Sequence, residues 1–317
     1  MSERFSRRDF VAKTGFVAGG AVLAAQTVAS AKVADAPSQP FTIGLNTGTI
    51  RGYKLPFLEQ IDIAAKAGYG AIEPWLRDIN VYVEQGGSLK DARKRIEDAG
   101  LKVTSAIDFP RWAVDDDAVR TEALEKMKQA MGLLAELGGT HIAAPPAGIN
   151  RTSGMDLFAI AERYRATLEL GEEMGIIPQV EFWGSAQTLG RMGEAVLVAV
   201  HAGHSQSCLL MDAYQIHRGG SPFEGLKQLN GAKMANFHIN DYPADPPRDQ
   251  LKDADRVFPG DGVCPLDDVL QTFYRTGFRG VLSLEIFNPT YWEKHDALTT
   301  ARMGFEKTSA IVEKAFA

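Results

Sequence analysis

Two cysteines in 317 residues are too few for a disulfide framework, and Cys208 and Cys264 lack the Cys-x-x-Cys spacing of a redox or zinc motif. Cys208 stands in an apolar run, where a thiol packs as a small core residue. Basic charge is also short: 34 Lys and Arg against 40 Asp and Glu give a net charge of −6 with histidine neutral. A nucleic-acid surface usually needs a basic face, so that class is disfavoured, whereas a local basic pocket for an anionic small molecule is not. No Gly-x-Gly-x-x-Gly turn follows any apolar run, so the fingerprint of a dinucleotide-binding open sheet is missing. The stretch from Thr14 to Ala31 is broken by Gly15, Gly19, Gly20 and Gln26, too weakly apolar for a stable membrane span. What remains, with 45% hydrophobic and 23% charged residues, is the composition of an ordinary soluble globular protein.

The N-terminus reads as an address. Arg4, Arg7, Arg8 and Lys13 precede the Ala-, Val- and Gly-rich stretch, and Ala29-Ser30-Ala31 supplies a small-x-small cleavage site. The segment Ser6-Arg7-Arg8-Asp9-Phe10-Val11, with Lys13 one place late, resembles the twin-arginine export motif. The resemblance implies residues 1–31 as a signal peptide, the twin-arginine translocase as a transient partner, and a periplasmic protein exported already folded. Residues 32–40 are small, polar and proline-containing, and read as a linker.

A chain of this length can hold two domains, but α/β barrels often use about 250 residues in one. From Phe41 onward a unit of strand plus helix recurs eight times, with strands beginning near Phe41, Ala71, Lys102, Thr140, Ile176, Cys208, Ala235 and Val281. Helical patterns lie between them at Leu58–Ala67, Leu89–Ala99, Ala118–Leu137, Leu157–Met174 and Leu266–Arg275. Several end in the glycine that stops a helix, as at Gly68, Gly100, Gly138 and Gly175. Eight alternating units predict a single (β/α)8 TIM barrel over residues 41–317, with a doubly wound open sheet as the lesser alternative.

In such a barrel the chemistry sits at the C-terminal ends of the strands. Four consecutive apolar runs, on strands five to eight, end in Glu181, Asp212, His238 and Glu285. A carboxylate there is costly unless something pairs with it, and one metal ion can pair with several. Singly, each residue has an ordinary explanation: Glu285 a salt bridge, His238 a satisfied core histidine, Asp212 a helix cap. Four together favour a divalent metal site, oxygen-rich enough for Mn2+, Mg2+, Co2+ or Zn2+, with Mn2+ the preferred ion. Trp75, Trp112, Trp183 and Phe287 lie near strand ends and are candidates to pack the apolar faces of a sugar ring. Glu73 reads as either a substrate contact or a buried structural acid. His141, at the start of its strand, falls on the wrong side of the barrel. Asp241 lies in the loop beyond His238 and is expected to order the segment Tyr242–Gly262, long enough to be a lid.

From Phe41 to the C-terminus the chain resembles the sugar phosphate isomerase/epimerase family of xylose isomerase-like barrels. The likeness rests on the order Glu181, Asp212, His238, Glu285, on Arg256-Val257-Phe258-Pro259-Gly260-Asp261-Gly262, and on Gly277-Phe278-Arg279-Gly280 ahead of the last ligand. It implies that these four residues hold the metal and that Glu181 and Glu285 act as the acid–base pair beside a carbonyl, through a metal-stabilised enediolate. The same enolate can expel a β-substituent, which makes a dehydratase or lyase acting on a 3-keto-sugar or 3-keto-glycoside the alternative. Where epimerases of the family carry a histidine three places after the aspartate, this chain has Gln215, with His217 just beyond. Gln215, His217, Arg256, Trp75 and Trp183 are the expected contacts to a small carbohydrate substrate. A nuclease on the same barrel would need more histidine ligands than six histidines readily supply, and a periplasmic sugar-binding protein would not need four convergent ligands. Homo-oligomer formation is left open.

Overall fold

The computed structural model describes residues 40–317; the expected signal peptide and all but the last residue of the expected linker lie outside the described residues. Among the described residues the strands are β1 (Thr42–Asn46), β2 (Ala71–Glu73), β3 (Lys102–Val103), β4 (Ser105–Ala106), β5 (His141–Ala144), β6 (Ile177–Glu181), β7 (Cys208–Asp212), β8 (Asn236–Ile239) and β9 (Val281–Leu284). All pairings are parallel, in the order β3-β2-β1-β9-β8-β7-β6-β5-β4. The expected third strand is split at Thr104: its first half pairs with β2 and its second with β5. One stave therefore changes neighbours midway and brings the two ends of the ladder together. The expected parallel barrel is what forms.

The helices are α1 (Phe57–Ala67), α2 (Leu76–Glu84), α3 (Leu89–Asp98), α4 (Asp117–Glu136), α5 (Leu157–Met174), α6 (Met192–His201), α7 (Ala213–Arg218), α8 (Leu266–Arg275), α9 (Pro289–Lys294) and α10 (Ala297–Phe316). Local chemistry sets their ends. Asp116 caps α4 by accepting from the amides of Ala118 and Val119, and Asp156 and Asp296 do the same for α5 and α10. Gly68 ends α1 and Gly175 ends α5 at φ of 101° and 70°, where a side chain would be strained.

Strand alternation sorts the residues into two layers. Ile43, Leu45, Ile72, Phe237, Ile239, Leu282 and Leu284 are buried in the layer that also holds Ile61, Phe273 and Val312 of the surrounding helices. The alternate positions point into the barrel: Asn46, Glu73, Gln179, Glu181, Asp212, Asn236, His238, Ser283 and Glu285 are buried polar or charged residues. The runs that look apolar thus carry their polar residues on this inward face. Both sequence cysteines are free, and Cys208 is buried as expected.

Candidate active site

Register brings the strand ends together. Asp212 pairs with His238 across β7 and β8, His238 pairs with Ser283 across β8 and β9, and Glu285 follows two residues on, with its amide bonded to the Ile239 carbonyl. Asp212, His238 and Glu285, all buried, each offer a ligand atom, and these lie within 4.8 Å of one another. Glu181 is registered opposite Leu210, two residues before Asp212, and so shares the inward face without joining this tight group.

His238 is completely buried, and a partner on one nitrogen decides what the other does. Nε2 lies 2.9 Å from Glu73 Oε2, an acceptor that makes this nitrogen the N–H donor. Nδ1 has no hydrogen-bond partner and faces Glu285 Oε2 at 3.4 Å and Asp212 Oδ2 at 3.8 Å. A buried, unpartnered imidazole nitrogen between two carboxylates fits a divalent cation, with Glu73 as the carboxylate that orients a ligating histidine. Burial alone would lower the His238 pKa, but Glu285 and Glu73 hold it well above the ordinary imidazole value. Glu73 is in turn held below the usual carboxylate range by His238 and Ser283, although burial pushes the other way.

Several residues support this centre that sequence reasoning did not single out. Asn46 Nδ2 donates to Glu73 Oε2 and Glu285 Oε1, both at 3.0 Å, and its Oδ1 accepts from Trp75 Nε1 at 2.9 Å. Ser283 Oγ donates to Glu73 Oε2 at 2.6 Å. Asn240 Nδ2 reaches both Asp212 oxygens at 3.2 Å while its Oδ1 accepts from the Tyr214 amide at 2.8 Å. Asparagine and serine inside an apolar run carry no periodicity signal. The one usable hint was their recurrence at alternate strand positions.

A cavity of about 340 Å³ opens above the cluster, lined among others by Trp75, Phe109, Glu181, Trp183, Gln215, Arg256, Glu285 and Phe287. Burial raises the Glu181 pKa to about 8, with Glu285 and Asp212 adding to the rise against the pull of His238. Trp183 Nε1 donates to Glu181 Oε1 at 3.1 Å. Burial raises Glu285 as well, opposed by His238 and Arg256. Phe109 bridges the wall, its ring 5.2 Å from Trp75 and 6.1 Å from Trp183.

Five expected contacts land differently. Trp75 and Trp183 line the cavity, as does Gln215, whose Oε1 accepts from the Gly184 amide at 2.7 Å. Arg256 lines it too but is 1% exposed and already paired: Nη1 donates to Glu285 Oε2 at 2.7 Å and Asp212 Oδ2 at 3.0 Å, and Nη2 to Asp253 at 2.9 Å. It is a buried counter-ion of the acid cluster as well as part of the cavity wall. His217 stacks on Tyr242 with ring centroids 3.9 Å apart and is outside the cavity lining, because α7 turns it toward the loop instead. Trp112 is buried in the outer layer with its Nε1 on the Pro145 carbonyl, away from the pocket. Glu73 proves to be the buried structural acid, 1% exposed.

Asp241 orders the following loop as expected. Its Oδ1 accepts from the amides of Tyr242 and Cys264, and its Oδ2 from those of Gly260 and Gly262, all between 2.8 and 3.2 Å. The loop so tied delivers Asp253 and Arg256 to the cavity wall.

Comparison with known proteins agrees with this architecture. The inosose isomerase of Bacillus velezensis is 28% identical over 261 residues, covering 81% of this chain and 92% of the relative. A 3-dehydroshikimate dehydratase of Pseudomonas aeruginosa is 29% identical over 245 residues, covering 73% of this chain but 36% of that larger protein. Among solved structures, an IOLI protein with a bound zinc atom superposes with a TM-score of 0.78 at 24% identity, over 87% of this chain and all of that one, which shows the fold. Residues 61–307 match the profile of the xylose isomerase-like TIM barrel family, and the chain belongs to that family.

Proposed function

We propose that this protein is a divalent-metal-dependent sugar isomerase or epimerase that moves a proton at the carbon next to a substrate carbonyl. The relatives support an enzyme of the isomerase or epimerase class. The observation that carries the metal-dependent reading is the buried, unpartnered His238 Nδ1, held between Asp212 and Glu285 beside a cavity lined by Glu181 and Glu285.

Asp212, His238 and Glu285 would hold the metal, with Glu181 as fourth ligand on grounds of charge. The zinc of the solved relative supports a divalent ion, and the oxygen-rich donor set favours Mn2+. Bound there, such an ion supplies Lewis acidity to a carbonyl and its neighbouring hydroxyl. The chain's own residues do the rest. Glu181, with a pKa near neutrality, can both give and take a proton, which suits an acid–base group. Glu285 is the opposite member of the pair, its Oε1 fixed by Asn46 and its Oε2 by Arg256. The cavity walls of Trp75, Phe109 and Trp183 exclude water and present flat surfaces to a sugar ring.

A second reading is elimination of a β-substituent from a 3-keto-sugar or 3-keto-glycoside. Two observations favour it: the dehydratase relative, and Gln215, which cannot ionise, at a place where epimerases carry a histidine. Solvent-deuterium exchange on a panel of ketoses and 3-keto-glycosides with Mn2+ tests both. Exchange beside the carbonyl that is lost in Glu285→Gln supports proton abstraction, and the product then separates epimer from alkene. Unchanged activity in both Glu181→Gln and Glu285→Gln would sink the scheme. We also infer export to the periplasm through the twin-arginine translocase; fractionation of cells expressing the Arg7→Lys, Arg8→Lys double variant should find it retained in the cytoplasm.

A further inference from the structure

A second, larger cavity of about 630 Å³ lies beside the first, and Arg51 lines both. Arg51 follows β1 on the catalytic face of the barrel. Its guanidinium lies 4.2 Å from the ring centre of Phe287, 5.5 Å from Trp75 and 5.9 Å from Trp292. These rings are not free to move: Trp75 is tied to Asn46 and Trp292 Nε1 donates to the Thr49 carbonyl at 2.8 Å. Yet among the described residues Arg51 donates no side-chain hydrogen bond. A guanidinium held rigidly on aromatic faces with its N–H donors unused is built to receive an oxyanion.

The rest of the cavity agrees. Lys54 and Arg77 add positive charge, while the acid Asp78 is already occupied by Arg77 Nε at 3.2 Å and Gln60 Nε2 at 3.1 Å. Gln60 is 5% exposed, and with Nε2 spent on Asp78 and the Leu55 carbonyl its Oε1 is a buried acceptor without a partner. We propose that this cavity is a substrate subsite for an anionic group, a carboxylate or a phosphate ester, joined to the sugar that occupies the first cavity, with Arg51 binding the anion at the junction. The substrate class is then a sugar acid or sugar phosphate rather than a neutral sugar. This deepens the keto-sugar reading above and rests on it for the half of the substrate in the first cavity.

Calorimetric titration of the full-length, Mn2+-loaded protein with D-glucuronate against D-glucose tests the proposal, alongside inorganic phosphate in the presence of chelator to keep phosphate off the metal. The anions are expected to bind about tenfold or more tightly than glucose, with the advantage shrinking as salt rises and disappearing in Arg51→Gln. Arg77, more than half exposed, can be changed without threat to folding, and Arg77→Gln should weaken phosphate binding by a smaller factor. Whether phosphate or glucuronate binds more tightly identifies which anion the substrate carries. Equal binding of glucuronate and glucose with no measurable phosphate binding, or phosphate binding that both variants leave unchanged, overturns the subsite. Arg51-dependent phosphate binding without proton exchange on any keto-sugar would keep the subsite and discard the isomerase reading, so the two fail separately.

Discussion

The barrel has two interiors, and they obey opposite rules. Between staves and helices, Phe237, Leu282, Phe273 and Val312 fill space with no polar atom to satisfy. Inside the staves, Asn46, Glu73, Asn236, His238 and Ser283 form a hydrogen-bonded network joining strands that are not neighbours in the sheet. Each residue of the outer layer contributes on its own, roughly 2–5 kcal/mol for a large apolar side chain. The inner layer contributes little net stability, since burying paired charges costs about what the pairing returns. What it provides is geometry: it fixes which imidazole nitrogen is free and where two carboxylates point.

That contrast can be broken at either layer. Replacing the reacting carboxylate, Glu285→Gln, should lower deuterium exchange beside the carbonyl by roughly 10²- to 10⁴-fold, and because Glu285 is also a metal ligand and the buried partner of Arg256, the melting temperature should fall with it. In the outer layer, Phe237→Ala should cost about 3–5 kcal/mol in urea unfolding while leaving metal stoichiometry of the folded protein intact. Chelation should remove about 2.7 kcal/mol of stability when free metal had stood roughly 100-fold above its dissociation constant, and His238→Ala should erase that increment in calorimetry. Glu73→Gln should weaken metal binding about 10- to 100-fold in a competition titration by releasing the His238 ring, with native secondary structure kept. The smallest effect belongs to the surface. Arg95 donates to Asp62 Oδ1 at 2.8 Å and holds that carboxyl below its ordinary value. The stability this adds is complete above the unfolded aspartate's pKa and is lost as pH falls through the folded one. Since both side chains are partly exposed, Asp62→Asn should cost less than about 1 kcal/mol at neutral pH, and that cost should fade as pH drops through the folded aspartate's pKa.

The outer layer was legible in the sequence because burial against helices leaves a period: Leu157–Met174 and Leu266–Arg275 are helices with the expected ends. The site was legible only where a polar residue terminates an apolar run, as Asp212, His238 and Glu285 do. Asn46 and Asn240 were missed because a neutral amide looks like a turn residue wherever it stands. Arg256 was found, but its partners were not. Its motif marks the loop, whereas its role is set by acids on β7 and beyond β9 that only the barrel's closure brings near it. His217 was misplaced for the complementary reason: a short helix, α7, rotates it away from the strand axis.

Asp241 carries a last consequence. One carboxylate gathers four peptide N–H groups from both ends of the segment that supplies Asp253 and Arg256. The segment is thereby pinned at its root, and its second half is held too, by the Arg218 Nε bond to the Leu251 carbonyl and by Asp253 on Arg256, so residues 243–250 are the stretch that can vary without disturbing the staves. Retaining this anchor while exchanging residues 243–250 for a relative's counterpart would graft a new rim onto an unchanged reaction centre, altering which molecules are admitted while the chemistry beneath stays the same.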